Sequence, residues 1–301
     1  MNKVRVLSID GGGQIIPTLL LDKIETITDK KTHELFDFVV ATGTGVLAAW
    51  VFQSDELAKD ASDRCGTALK IYEEIFTAKE QLGANVDKKF GGKKLSIAKS
   101  PLVTICYDCE TFDTVALRSD ESRFEYDVSS IIKASLAGPQ SLEPVEICEK
   151  YRTRYLISGA ILNNNPILHA LQEISHRQPE FGQADAIVVS LGSGLTTTNW
   201  AEAKEEEERT SFSLVSLAAR ASATWVEREA AEMVRLMDRT RPSSHDIYRL
   251  NIEVNLPLND FWTDKERYVN AYLSAAQTLI EKQGKTLKRI CDELTTRGDR
   301  R

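Results

Sequence analysis

The sequence predicts an α/β fold, because two apolar strands each lead through a turn of small residues into a helix. The first strand, Val4–Ile9, runs into a glycine turn. It is followed by a predicted amphipathic helix over Thr18–Asp29, with Ile27 among the residues of its buried face. The second strand, Phe36–Val40, is followed by five small residues and a helix-forming stretch, Val46–Val51.

Length and composition limit the class of protein. At 301 residues the chain exceeds the usual size of one domain, but an α/β domain can be this long, and we expect one domain over residues 1–301. The formal net charge of −7 argues against nucleic-acid binding, which depends on a positive surface. The sequence contains no run of about 18 apolar residues, so no transmembrane helix is predicted. The apolar run before the first glycines is too short for a secretion signal, so we expect a cytoplasmic protein.

The cysteines and histidines do not form a metal-binding pattern. Cys106 and Cys109 make a single C-x-x-C in a predicted strand and its exit, with no second pair at zinc-like spacing. The five cysteines are an odd number and are scattered, which does not indicate a disulfide framework. We expect structural or solvated roles for the four histidines: His33, His169, His176 and His245. The sequence therefore predicts neither a metal nor a cofactor.

The glycine turn after the first strand consists of Asp10, Gly11, Gly12 and Gly13. Consecutive glycines let the backbone approach a ligand closely and expose N–H groups that can bind an anion. The pattern is neither a P-loop nor a dinucleotide-binding fingerprint. A simple turn that starts at Asp10 is the alternative.

The second turn has the layout of a nucleophile elbow. In such an elbow a G-x-S-x-G turn between a strand and a helix holds a serine in an exposed, strained position. Here the strand, the small residues and the helix are all present within Phe36–Trp50, but the central position of the turn is Gly43. A glycine has no side chain and cannot act as a nucleophile.

Together the two turns resemble the patatin-like phospholipase family, whose motifs are D-G-G-G-x-R/K-G, G-x-S-x-G and D-G-A/G. Four further stretches match in order: Ala134–Pro139 (A-S-x-A-A-P in the family), Ser158–Pro166 (D-G-G-x-x-x-N-N-P), Val188–Gly194 (S-L-G-T-G) and Tyr248–Ile252 (Y-x-R-I). The resemblance covers nearly the whole chain. It implies a three-layer α/β/α sandwich with a mostly parallel central sheet.

The departures from the family pattern fall on its chemical positions. In the family a serine, activated by an aspartate, attacks a lipid ester, and the glycine turn with a nearby basic residue stabilises the oxyanion. The resemblance places the serine at Gly43, the aspartate at Ser158, the basic residue at Ile15 and the following glycine at Ile16. Only the turn Gly11–Gly13 keeps the residues of an oxyanion hole. We expect Ile15 and Ile16 to close the pocket with apolar side chains directed away from solvent.

Two functions from different classes follow. The preferred one is a catalytically inactive patatin-like protein that binds a protein or a lipid, as a scaffold, structural subunit or regulator. The alternative is a lipid acyl hydrolase of the phospholipase A type that uses a non-standard nucleophile. The candidate hydroxyls are those of Thr42, Thr44 and Ser158, and no Asp or Glu within 158–166 could activate them.

The middle of the chain adds two strands, a helix and a basic stretch. Strands are predicted over Leu102–Tyr107 and Val115–Leu117, and a helix over Val128–Ser135. The basic stretch, Lys79–Lys99, is predicted to be a loop around a Gly-Gly turn, either a solvated loop or a peripheral contact with an anionic lipid surface. Four lysines would make that contact: Lys88, Lys89, Lys93 and Lys94.

The C-terminal part, 211–301, is predicted to be mainly helical and follows an acidic run at 202–209. One helix is predicted over Ser211–Met237. A second helical region, Lys265–Leu294, contains Gly284, which we expect to interrupt it. A protein partner or a second copy of the chain is the expected binding partner, and the sequence does not identify it.

Overall fold

The computed structural model describes residues 3–58, 63–121, 126–138, 141–149, 152–177, 185–196, 225, 227–233, 235–236, 245–254 and 264–296. Within these ranges the chain is a mixed α/β structure with helices on both faces of a central sheet. The predicted α/β fold is confirmed. The acidic run at 202–209, most of the helix predicted over Ser211–Met237 and the last five residues lie outside the described ranges.

In the described residues the strands are β1 (Val4–Ile9), β2 (Phe38–Thr42), β3 (Leu102–Asp108), β4 (Thr114–Arg118), β5 (Val145–Glu149), β6 (Arg152–Ser158), β7 (Ala186–Leu191), β8 (Leu195–Thr196), β9 (His245–Leu250) and β10 (Glu253–Val254). The helices are α1 (Ile15–Thr28), α2 (Thr32–Leu35), α3 (Gly45–Phe52), α4 (Arg64–Ile75), α5 (Leu82–Phe90), α6 (Val128–Leu136), α7 (Ile167–Arg177), α8 (Lys265–Lys282) and α9 (Gly284–Thr295). Short 3₁₀ turns occur at Lys79–Gln81, Leu95–Ile97 and Gly159–Ile161. Residues 225, 227–233 and 235–236 are also helical. We name these described residues the 225–236 segment.

The order of strands in the sheet brings several loops to one end of it. In the central sheet the strand order is β5-β6-β3-β2-β1-β7-β9, and β4 pairs with β3. Strands β8 and β10 pair with each other in a separate sheet. Five neighbouring strands are mutually parallel: β3, β2, β1, β7 and β9. Strands β4, β5 and β6 join the sheet by antiparallel pairing. Because the carboxyl ends of parallel strands meet at one edge, the turns after β1, β2, β7 and β9 lie close together. The sheet is mostly parallel, as predicted.

The layers can be followed from β1, all six residues of which are buried. Successive side chains of a strand point to opposite faces. Leu7 and Ile9 belong to the larger apolar core, which includes residues of α1, α3, α4, α8 and α9. Val4 and Val6 belong to a smaller core with residues of α7. The sheet is therefore covered on both faces, as the near-continuous apolar sequence of β1 indicates.

Three predicted details of the first helix and the second strand are wrong. The second strand is Phe38–Thr42 rather than Phe36–Val40, because parallel pairing with β1 and β3 continues to the turn. The first helix begins at Ile15 rather than Thr18, since a proline in the first helical turn, here Pro17, needs no N–H partner. Ile27 lies in the last turn of α1 and is 40% exposed, so it is not part of the buried face.

The basic stretch also differs from its prediction. Residues Leu82–Phe90 form α5 instead of continuing a loop. Lys89 pairs with Glu74 at 2.9 Å, and Lys93 pairs with Glu56. Two of the four lysines therefore already have acidic partners within the chain.

The C-terminal helices agree with the prediction, since Gln283 separates α8 from α9, and α9 begins at Gly284. Among the described residues, none of the helices has both the length and the apolar character needed to cross a bilayer.

Candidate functional site

The glycine turn after β1 packs against the segment that precedes α7. The N–H of Gly11 donates a hydrogen bond to the carbonyl oxygen of Asn164 at 3.0 Å. Gly12 has a φ of +98°, in the left-handed region that favours glycine. Because the Gly11 amide already has an acceptor, it is not free to bind an anion in this conformation.

Two tyrosines of α8 cover the last glycine of this turn. A Cβ built on Gly13 would lie 2.8 Å from Cε1 of Tyr272 and 2.9 Å from the hydroxyl oxygen of Tyr268. The centroids of the two rings are 4.4 Å apart. Burial raises the pKa of Tyr268 well above its ordinary value, so its hydroxyl is neutral. The C-terminal helix therefore closes one side of the glycine turn.

The turn between β2 and α3 has the backbone of a nucleophile elbow but no space for a side chain. Gly43 has a φ of +55°. A Cβ built on Gly43 would lie 2.9 Å from the Cα of Gly11 and 3.0 Å from the Cβ of Ala160. The carbonyl oxygen of Gly43 accepts a hydrogen bond of 2.8 Å from the hydroxyl of Ser135. The elbow is thus fixed in place and packed directly against the glycine turn.

The three candidate hydroxyls near the elbow have different environments. The hydroxyl of Thr42 donates to the carbonyl oxygen of Ile105 at 3.2 Å. The Ser158 hydroxyl oxygen accepts from the N–H of Ala160 at 3.2 Å. The Thr44 hydroxyl is buried and has no hydrogen-bond partner among the residues that the structure describes. In the described part of the chain, none of the three hydroxyls forms a hydrogen bond with a carboxylate, which is the contact that would activate it.

Ile15 and Ile16 begin α1 and lie in the apolar interior. Their exposed fractions are 1% and 0%. Cδ1 of Ile16 would lie 3.1 Å from a Cβ built on Gly194, in the turn after β7. The prediction that both side chains are directed away from solvent is confirmed.

A buried ionic cluster that the sequence did not reveal lies beside the glycine turn. Arg249, in β9, donates to both carboxylate oxygens of Asp10, at 2.8 and 2.5 Å. It also donates to both carboxylate oxygens of Glu227, at 3.0 and 2.6 Å, and to the hydroxyl of Ser190 at 2.8 Å. Asp10 is only 2% exposed. We name Asp10, Glu227 and Arg249 the arginine cluster.

The arginine cluster connects parts of the chain that are distant in sequence. Asp10 follows β1, Ser190 lies in β7, and Glu227 belongs to the 225–236 segment. The side-chain amide of Asn165 donates to Glu227 at 2.8 Å, while its carbonyl oxygen accepts from the N–H of Ile167 at the start of α7. The cluster therefore fixes the glycine turn relative to the sheet, to α7 and to the 225–236 segment.

The charges of this cluster do not balance, because two carboxylates surround one guanidinium. Burial raises the pKa of Asp10 to about 7 and the negative charge of Glu227 acts in the same direction, while Arg249 opposes both. Burial disfavours the charge of Arg249, but Asp10 and Glu227 outweigh it and raise the guanidinium pKa. Near neutral pH the cluster can therefore take up a proton at Asp10.

This raised pKa predicts a pH dependence of stability. Asp10 binds a proton more tightly in the folded than in the unfolded chain, so its favourable contribution is complete below about pH 4 and is lost as the pH rises through about 7. Urea unfolding of the chain and of Asp10→Asn at several pH values measures it. Between about pH 4 and 7, the free energy of unfolding of the unmodified chain should fall relative to that of the variant, by up to about 1.4 kcal/mol per pH unit. Parallel pH profiles would contradict the prediction.

The cysteines are free thiols, with Cys106 buried in β3 and Cys109 half-buried just after it. Burial raises the pKa of Cys106 to about 12, so it is a neutral, unreactive thiol. Groups of three or more His, Cys, Asp or Glu side chains that could bind a metal do not occur among the described residues.

Comparisons with known proteins add little to this geometry. The chain matches no protein-family model and no curated protein. Among solved structures it is similar to the crystal structure of VipD from Legionella pneumophila, with 10% sequence identity and a TM-score of 0.40. The similarity covers 93% of this chain and 67% of that chain.

Proposed function

We propose that this chain is a catalytically inactive patatin-like protein that acts by binding a protein or a lipid, as a scaffold, structural subunit or regulator. The observation that carries the proposal is the elbow at Gly43. It keeps the positive φ of a nucleophile turn, yet it has neither a side chain nor space for one.

The surroundings of Gly43 support this reading. In an active elbow the turn projects the nucleophile into a cleft. Here the corresponding direction is filled by Gly11 and Ala160. The position that the family gives to an aspartate is Ser158, whose hydroxyl is engaged with the N–H of Ala160. Loss of a nucleophile and its base removes most catalytic power from an acyl hydrolase.

Ester hydrolysis by the purified chain tests the proposal, with a short activated ester and a phospholipid as substrates. We expect no hydrolysis above the buffer rate. Restoring the family dyad with Gly43→Ser and Ser158→Asp should also give no hydrolysis, because the new Cβ overlaps Gly11 and Ala160. We expect the double variant to lose about 2–4 kcal/mol of unfolding free energy, from a non-glycine residue at positive φ and from overpacking.

Two variants make the result decisive. Ser158→Asp alone is the control for the second substitution, since it leaves the elbow backbone unchanged. Thr44→Ala tests the alternative function, because the buried Thr44 hydroxyl has no partner within the described ranges. Hydrolysis by the unmodified chain that Thr44→Ala abolishes would contradict the proposal and identify a hydrolase with a threonine nucleophile.

A further inference from the structure

A cavity of about 660 Å³ lies between α7 and the β3–β4 hairpin, on the face of the sheet that α7 covers. None of its described lining residues belongs to the glycine turn, the elbow or the 158–166 segment. The cavity is therefore separate from the degenerate site of the family. We propose that it binds a neutral sugar, with the hydroxyls on the polar wall formed by α7 and the ring on the apolar floor formed by β3 and β4.

The floor of the cavity is apolar because alternate residues of a strand share one face. Val103 and Ile105 of β3 are both 1% exposed and line the cavity. In the pairing with β4, Val103 lies opposite Arg118 and Ile105 lies opposite Ala116. Ala116 is half-buried and packs against the smaller apolar core. The register of the hairpin thus fixes a small apolar surface at the bottom of the cavity.

One wall of the cavity is a polar stripe along α7. His169, Gln172, Glu173 and His176 line the cavity at positions i, i+3, i+4 and i+7, which lie on one face of a helix. Burial lowers the pKa of His169, and a hydrogen bond with Gln172 only partly opposes this effect. Near neutral pH the imidazole is therefore uncharged, with one donor and one acceptor nitrogen. The wall presents hydrogen-bond donors and acceptors side by side.

The arginines that line the cavity are compensated within the chain. Arg118 makes paired hydrogen bonds of 3.0 and 2.9 Å with the two carboxylate oxygens of Glu173. Arg152 and Arg154 both donate to the buried carboxylate of Asp108, at 3.3 and 2.9 Å. These pairs hold the side chains in position before a ligand binds, which lowers the entropy lost on binding.

This composition selects the class of ligand. An anion would meet the carboxylates of Asp113 and Glu173, and a cation would meet three arginines. An apolar ligand would leave the polar wall without partners, which costs free energy. The described lining contains no phenylalanine, tyrosine or tryptophan on which a planar base could stack. A neutral ligand with several hydroxyls satisfies donors and acceptors alike, because each hydroxyl both donates and accepts.

The size and shape of the cavity also fit a sugar. Binding sites for small molecules typically have volumes of roughly 300–1,000 Å³ and combine an apolar surface with a few convergent polar groups. A sugar ring carries hydroxyls around its edge and C–H groups on its faces. A polar wall above an apolar floor matches both of these parts.

An exposed aromatic residue follows the cavity lining in the hairpin turn. Phe112 lies between the lining residues Thr111 and Asp113, is 73% exposed and has a φ of +58°. Bulky residues at positive φ are rare, and strained residues of this kind cluster at functional sites such as ligand clamps. The ring of Phe112 offers an apolar surface on which the face of a sugar can pack.

Saturation-transfer NMR with the full chain tests the proposal. The neutral probes are glucose, galactose and mannose. The charged probes are the 6-phosphate and the protonated 2-amino derivative of each hexose. We expect at least one neutral hexose to bind, and to bind more tightly than either of its charged derivatives.

Two variants locate the binding. Ala116→Phe fills the cavity from its floor, in a strand that accommodates aromatic residues, and should weaken binding at least about tenfold. Gln172→Ala removes one hydrogen-bonding side chain from the wall and should weaken binding about two- to tenfold. Its folding should be unaffected, because Gln172 is exposed and alanine favours a helix.

Ser175→Ala is the matched control, because Ser175 is exposed on the same helix and is not among the described lining residues. It should bind like the unmodified chain. Failure of every neutral hexose to bind would overturn the proposal, as would tighter binding of a charged derivative. Unchanged binding by folded Ala116→Phe would show that the sugar lies elsewhere and would overturn it too. Because the cavity is separate from the elbow, none of these results depends on whether the chain hydrolyses esters.

Discussion

Replacing Arg249 with leucine should lower the free energy of unfolding by about 3–5 kcal/mol, because it removes the cation between two carboxylates. Asp10 is 2% exposed, and all of its charge compensation in the arginine cluster comes from Arg249. Urea unfolding, followed by circular dichroism, measures the change. The variant should also recover stability as the pH falls, since protonation of Asp10 removes the uncompensated charge.

Two further variants test whether the loss comes from the stranded carboxylate. Asp10→Asn combined with Arg249→Leu should recover part of the lost stability, and the double-mutant cycle gives the coupling between the two side chains. Arg289→Gln breaks a solvent-exposed pair with Glu293 and should leave the stability almost unchanged. An Arg249→Leu loss as small as that of the control would show that solvent reaches Asp10.

The local pattern of the sequence was enough to predict the central elements. Val4–Ile9 is a strand with the predicted bounds, and the predicted helix at Val128–Ser135 is one residue shorter than α6. The turn at Gly43 has the positive φ that an elbow requires. These features depend on neighbouring residues, namely on apolar periodicity and on the position of small residues, which a single sequence displays directly.

The arginine cluster could not be predicted in the same way. Asp10 stands in a glycine turn and Arg249 in a strand pattern, and nothing near either residue indicates the other. Their contact depends on the sheet order, which places β1, β7 and β9 side by side. Tyr268 lies in a helix pattern, and its contact with Gly13 depends on how α8 packs across the turn. Long-range pairing, unlike periodicity, leaves no local signal.

The second large expected effect is a loss of stability at Gly45, the glycine two residues after Gly43 in the elbow. Gly45 begins α3, and a Cβ built on it would overlap the carbonyl oxygen of Asp10 and lie 2.9 Å from Cγ2 of Ile9. Neither atom can move easily, since one is backbone and the other is packed in the larger core. We therefore expect Gly45→Ala to lower the free energy of unfolding by at least about 3 kcal/mol, the upper end of overpacking effects. Thermal and urea unfolding measure it.

Gly284→Ala is the matched control, because Gly284 begins α9 and a Cβ there meets no atom of the described residues within 4 Å. Alanine is the better helix former, so this variant should be stabilised by up to about 1 kcal/mol. The comparison of Gly45→Ala with Gly284→Ala separates two reasons for the glycine at position 45: the packing of α3 against β1, and the motif of a nucleophile elbow. A large loss in Gly45→Ala means that the packing of α3 against the end of β1 requires glycine, whether or not the elbow carries a nucleophile. A loss below about 1 kcal/mol would contradict that packing argument, and the glycine at position 45 would then need another explanation.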